Sequence, residues 1–188
     1  SLAGTVATSV TDDADTTTVT LSSASGATVS EGGSVVYTAS VNAPVAGSDL
    51  VVTLTNGQTV TIPVGSSSAS VTYAVRADNA YVQGDDSLSV SIAGTAGGNY
   101  EAVSLAGTVA TTVTDDADTT TVTLSSASGA TVAEGGSVVY TASVTAPVAG
   151  ADLVVTLSNG QAITIPVGSS SASVTYAVRA DNAYVQGD

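Results

Sequence analysis

The chain has 188 residues, 43% of them hydrophobic, with sixteen Asp and Glu against two arginines and a formal charge of −14. It contains no Cys, His, Met, Trp, Phe or Lys, which argues against disulfide stapling, against zinc, haem or iron–sulfur centres, and against any Cys- or His-based catalysis. Its many β-branched residues exclude a disordered acidic tail, and its negative charge is the opposite of the basic footprint that nucleic acid and anionic membranes require.

Residues 1–11 read as the last strand of a preceding repeat, because residues 1–85 return as 104–188 with seven small substitutions: Ser9/Thr112, Ser30/Ala133, Asn42/Thr145, Ser48/Ala151, Thr55/Ser158, Thr59/Ala162 and Val60/Ile163. The period is 103 residues, too long for a solenoid turn or propeller blade and about the size of one folding domain. The expected domains are residues 1–14 (last strand and linker of a preceding repeat), 15–117 (a complete repeat) and 118–188 (a second repeat lacking its last two strands). If that second repeat folds, its missing strands are expected from another molecule or from sequence outside these residues.

Within the complete repeat, period-two alternation predicts strands A to G over residues 17–22, 34–41, 50–55, 58–64, 69–77, 87–93 and 104–114. The clearest is Ser87-Leu88-Ser89-Val90-Ser91-Ile92. No segment has helical periodicity. Asn56-Gly57, repeated as Asn159-Gly160, predicts a two-residue type I′ hairpin, while Ala43-Pro44 and residues 94–99 read as longer connections. Seven strands in about a hundred residues predict an all-β fold of tandem immunoglobulin-like Greek-key β-sandwich domains. The core must be built from Val, Ile, Leu, Ala and Tyr, with Tyr37 and Tyr73 on the apolar phase. Such a core buries little area per residue, so a bound ion is expected to add stability. No run approaches the ~20 apolar residues of a membrane span, and no signal peptide stands at Ser1.

Residues 12–114 hold nine acids and one arginine. Alternating strand direction sends Glu31, Asp78, Asp85, Asp86, Asp115, Asp116 and Asp118 to one pole of the domain. Asp49 and Glu101 go to the other, so Asp152 of the next repeat is expected to face the cluster. Two carboxylates 4 Å apart repel by about 4 kcal/mol at an effective dielectric near 20, and Arg76 can cancel only one. A hard cation bound by oxygens suits this set, and calcium suits it best. The linker is too short for an EF-hand loop and no Gly-Gly-x-Gly-x-Asp nonapeptide is present, so the fold must assemble the site. The candidate ligands are Asp12, Asp13, Asp15, Glu31, Asp78, Asp85, Asp86, Glu101, Asp115, Asp116, Asp118, Glu134, Asp152 and Asp181. The competing reading is a solvated acidic coat.

No enzyme is expected. Asp85 and Asp86 are adjacent and point apart, whereas paired catalytic carboxylates face each other across a cleft. A sugar-binding face would show exposed aromatics, and only Tyr81 and Tyr100 fall in the loops of a repeat. The triple threonine at residues 16–18 occurs once per repeat, without the regular array an ice-binding face needs.

The segments Thr114-Asp115-Asp116-Ala117-Asp118-Thr119-Thr120-Thr121-Val122-Thr123-Leu124, Val132-Ala133-Glu134-Gly135-Gly136-Ser137-Val138-Val139-Tyr140-Thr141 and Leu157-Ser158-Asn159-Gly160 resemble the tandem immunoglobulin-like repeats of giant LapA and BapA-type RTX adhesins of Gram-negative bacteria. More distantly, Glu31-Gly32, Ala77-Asp78-Asn79 and Asp115-Asp116 sit where Calx-beta domains carry their acidic clusters, with Asn79 in place of a second acid. The resemblance implies secretion by a type I system and retention at the bacterial cell surface. It also implies extender repeats rigidified by calcium that serve adhesion and biofilm formation, and it favours Glu31, Asp78, Asp115, Asp116 and Asp118 as ligands. The implied partners are neighbouring repeats and homotypic chains, with no nucleic acid, membrane insertion or small-molecule substrate. The alternative is a self-assembling surface filament or S-layer-type protein whose strands are completed between subunits.

Overall fold

Alternating Val with Ser or Thr gives each strand one apolar and one hydroxyl face, and burying the apolar face requires a second sheet. The structure, a computed structural model, describes residues 4–185 and divides them into two units, residues 4–79 with 83–116 and residues 80–82 with 117–185. No helix occurs among the described residues.

The first unit contains β1 (Thr16–Ser23), β2 (Thr28–Ser30), β3 (Ser34–Val41), β4 (Leu50–Leu54), β5 (Thr59–Ile62), β6 (Ser68–Ala74), β7 (Asp86–Ala96), β8 (Ala102–Ala106) and β9 (Thr108–Thr114). One sheet has the order β6-β3-β1-β8 and the other β2-β9-β7-β4-β5. Their inner faces share one core that includes Val19, Leu21, Val35, Tyr37, Leu50, Val52, Leu54, Ile62 and Val90. The fold is an immunoglobulin-like β-sandwich.

Nine strands replace the seven expected. The predicted strand over 104–114 is two strands in different sheets: β8 runs parallel to β1, and β9 pairs with β7 and runs parallel to β2. The break falls at Gly107, whose φ is +90°; a Cβ there would lie 2.3 Å from the Leu21 carbonyl oxygen. Only glycine lets the chain cross so close to β1 as it changes sheet. The three-residue β2 carried no alternation long enough to read. β7 outruns its predicted end because a register shift against β4 absorbs one residue between the Thr53–Gly94 and Leu54–Ile92 pairs.

The hairpin expectation is also corrected. Leu54 N–H donates to the Gln58 carbonyl at 2.8 Å and Gly57 N–H to the Leu54 carbonyl at 3.0 Å, enclosing three loop residues rather than two. Gly57 alone has positive φ, the geometry of a turn closed by a left-handed glycine. Asn56 contributes its side chain instead, accepting the Gln58 N–H at 3.2 Å. The loop around Asn159 repeats this.

The second unit contains β10 (Val122–Ser126), β11 (Ser137–Val144), β12 (Leu153–Thr156), β13 (Ala162–Ile165) and β14 (Ser171–Ala177), in sheets β10-β11-β14 and β12-β13. Its registers repeat those of the first: Val122 opposes Val144 as Val19 opposes Val41. Burial differs. Val19 and Leu21 are 0% and 3% exposed, while the matching Val122 and Leu124 are 45% and 51% exposed. β8 flanks β1 in the first unit, whereas β10 is an edge strand among the described residues.

Candidate metal centre

The acidic end of the first unit is built on the turn between β2 and β3. Glu31 N–H donates to the Thr114 carbonyl at 2.9 Å and Gly32 N–H to the Arg76 carbonyl at 2.8 Å, so the turn is stitched to the ends of β9 and β6. Gly32 has φ +71°, and a Cβ there would lie 2.8 Å from the Cβ of Asp78. The Glu-Gly pair thus turns the chain and clears a seat for Asp78.

Glu31, Asp78 and Asp116 each present a carboxylate oxygen, all within 4.8 Å of one another. Asp78 and Asp116 are exposed, but the side chain of Glu31 has no solvent exposure. Its Oε2 accepts from Arg76 Nε at 3.0 Å, and its buried Oε1 has no hydrogen-bond partner. A buried, unpartnered carboxylate oxygen is strongly unfavourable and calls for a cation or a donor. Asp118 follows Asp116 by two residues and belongs to the second unit.

The other predicted acids divide by task. Arg76 Nη1 donates to Asp86 Oδ2 at 3.1 Å and to the Gly84 carbonyl at 2.6 Å, while Nη2 lies 3.9 Å from Asp115 Oδ1. Asp115 Oδ2 accepts the Gln83 N–H at 3.0 Å. Asp86 and Asp115 therefore hold the loop before β7, and the neighbours Asp115 and Asp116 serve different groups. Asp85 is exposed and outside the three-carboxylate group. So are Asp12, Asp13 and Asp15, although the Asp15 N–H donates to Glu101 Oε2. Asp49 and Asp152 do matching local work, each Oδ1 accepting a backbone N–H at 2.9 Å, from Val64 and Val167 respectively.

The second unit repeats part of the arrangement. Gly135 N–H donates to the Arg179 carbonyl at 2.8 Å, and a Cβ on Gly135 would lie 3.1 Å from that of Asp181. Arg179 Nε is 3.5 Å from Glu134 Oε2. Glu134, Asp152 and Asp181 belong to no group of three carboxylates among the described residues. Sequence reasoning placed Arg76 near the cluster as a partial counter-charge but missed its contacts to three acids and a carbonyl; its being the one cation of the complete repeat was the available signal.

All three oxygens are hard ligands, which suits calcium or another oxygen-seeking cation rather than a metal needing nitrogen or sulfur. Backbone carbonyls and water would complete such a shell. The sequence profile of the LapA domain matches residues 15–117 and again residues 118–188. No curated protein matches the chain.

Proposed function

The chain belongs to the LapA domain family, adhesin-type repeats of cell-surface proteins, and we propose that it works as an extender whose repeats are stiffened by calcium. The observation that carries this reading is the buried Oε1 of Glu31, unpartnered and grouped with carboxylates of Asp78 and Asp116. An ion held by these three would relieve their repulsion and bind the β2–β3 turn, the end of β6 and the end of β9 together. The role is mechanical. Extended arrays of this kind would hold an adhesive region away from the cell, in support of adhesion and biofilm formation by a secreted protein.

Thermal unfolding in EDTA and in millimolar calcium tests the proposal. Calcium at a hundred times its dissociation constant adds about 2.7 kcal/mol, a rise in Tm on the order of 10 °C. Glu31→Gln and Asp116→Asn should abolish most of that rise. An unchanged Tm in the wild-type chain would leave the acids as a solvated coat, and calcium-triggered fibres would favour the filament reading.

A further inference from the structure

An ion bound at Glu31, Asp78 and Asp116 accounts for the acids that converge on it but not for the cation beside them. Arg76 is the only cationic side chain of the first unit. It lies beyond the end of β6 and is only 17% exposed at its side chain. Its guanidinium reaches the β2–β3 turn through Glu31, the loop before β7 through the Gly84 carbonyl, the first residue of β7 through Asp86, and the segment after β9 through Asp115. A permanent cation beside a divalent site opposes the ion on Coulomb grounds alone. The geometry works the other way: by engaging Oε2 of Glu31, the guanidinium orients that carboxylate and leaves Oε1 as the atom without a partner.

We propose that Arg76 is the positioning residue of the calcium centre, holding Glu31 by one oxygen so that the other is committed to the ion, and holding the loop at residues 83–86 closed when no ion is bound. This rests on the calcium reading above. The planar fork does more than its charge, because a lysine would keep the charge but could not span Glu31, Asp86 and the Gly84 carbonyl together.

Calcium titration by calorimetry of the whole chain, as wild type, Arg76→Gln, Arg76→Lys, Glu31→Gln and the Arg76→Gln/Glu31→Gln double variant, tests the proposal. Loss of a partner that orients a metal ligand weakens affinity by about 10–100-fold, so Arg76→Gln should fall in that range and Arg76→Lys should recover part of it. In the Glu31→Gln background, Arg76→Gln should cost no further affinity, since the effect passes through Glu31. Hydrogen exchange in EDTA should show residues 83–86 losing protection in Arg76→Gln, and Tm in EDTA establishes that each variant folds. If Arg76→Gln does not fold, Arg76→Lys carries the test. Equal or tighter calcium binding in the Arg76 variants, or additive losses in the double variant, overturns the proposal. Failure of the wild-type chain to bind calcium overturns the calcium reading itself, an outcome distinct from wild-type binding that Arg76 does not affect.

Discussion

Glu31 and Tyr37 lie six residues apart, and each buries an oxygen without a hydrogen-bond partner, Oε1 in one and Oη in the other. One sits among carboxylates and invites an ion. The other sits in the core, its ring 6.3 Å from that of Tyr73, where no ligand chemistry surrounds it. Burial, and then the neighbouring Tyr73, push the Tyr37 hydroxyl above the usual tyrosine value. A tyrosine with a raised folded-state value holds its proton more firmly when folded, so its contribution to stability is present below about pH 10 and is lost as pH rises through the folded-state value. Tyr37→Phe should therefore raise stability at neutral pH by about 1 kcal/mol, through loss of the orphaned hydroxyl, and flatten the alkaline decline; urea unfolding at pH 7 and 10.5 measures both. The burial of Tyr37 was legible in the alternation of Val35, Tyr37 and Ala39. That of Glu31 was not, because an acid flanked by Ser30 and Gly32 reads as a surface turn until β9 closes over it.

Strands were legible wherever alternation ran for five residues or more, which is why β3 matches its expected span of 34–41. Corners were not, since a sheet change leaves the period of side chains intact. Residues 104–114 alternate across Gly107 without interruption, yet that glycine divides β8 from β9. Gly107→Ala combines a backbone disfavoured by about 1–2 kcal/mol with a Cβ placed 2.3 Å from the Leu21 carbonyl, so β8 should detach from β1. The expected result is loss of exchange protection at residues 102–106 and a Tm lower than backbone strain alone predicts. Tyr100 shows the same limit of local reading. It was assigned only to a loop, and its hydroxyl donates to the Ala43 carbonyl at 2.8 Å, fastening the turn between β7 and β8 to the one between β3 and β4.

At the scale of the molecule, charge and structure occupy separate places. Among the first unit's strands only β7 contains a charged residue, Asp86 at its first position. Apart from Asp86 these strands are uncharged, and the other acids of the first unit lie outside them. Crowded like charges destabilise a folded state until they are screened or neutralised. In EDTA, raising NaCl from 0.05 to 0.5 M (roughly the span over which the Debye length falls severalfold) should raise Tm, and with calcium bound the same change should do little. A salt response of equal size in both conditions would show that calcium does not neutralise the cluster. The segregation was legible by counting acids along the chain. The sorting of those acids between a guanidinium and a candidate ion was not, because it depends on which oxygen each side chain turns inward.

The parallel pairing of β1 with β8, in register from Thr16–Ala102 to Thr20–Ala106, has a consequence under load. β1 opens the first unit's strand series, and β8 leads directly into its last strand. Tension on the two ends of the unit drags β1 back along its own axis while β8 and β9 are drawn forward along theirs. The hydrogen bonds between β1 and β8 are then strained together in shear, rather than peeled one after another as in a hairpin pulled from its open end. Resistance to forced extension is governed by the unfolding barrier, and separating β1 from β8 along this direction must break a whole row of bonds at once. A domain whose first strand lies beside, and runs parallel to, the strand that leads into its last one is loaded in shear when its ends are drawn apart.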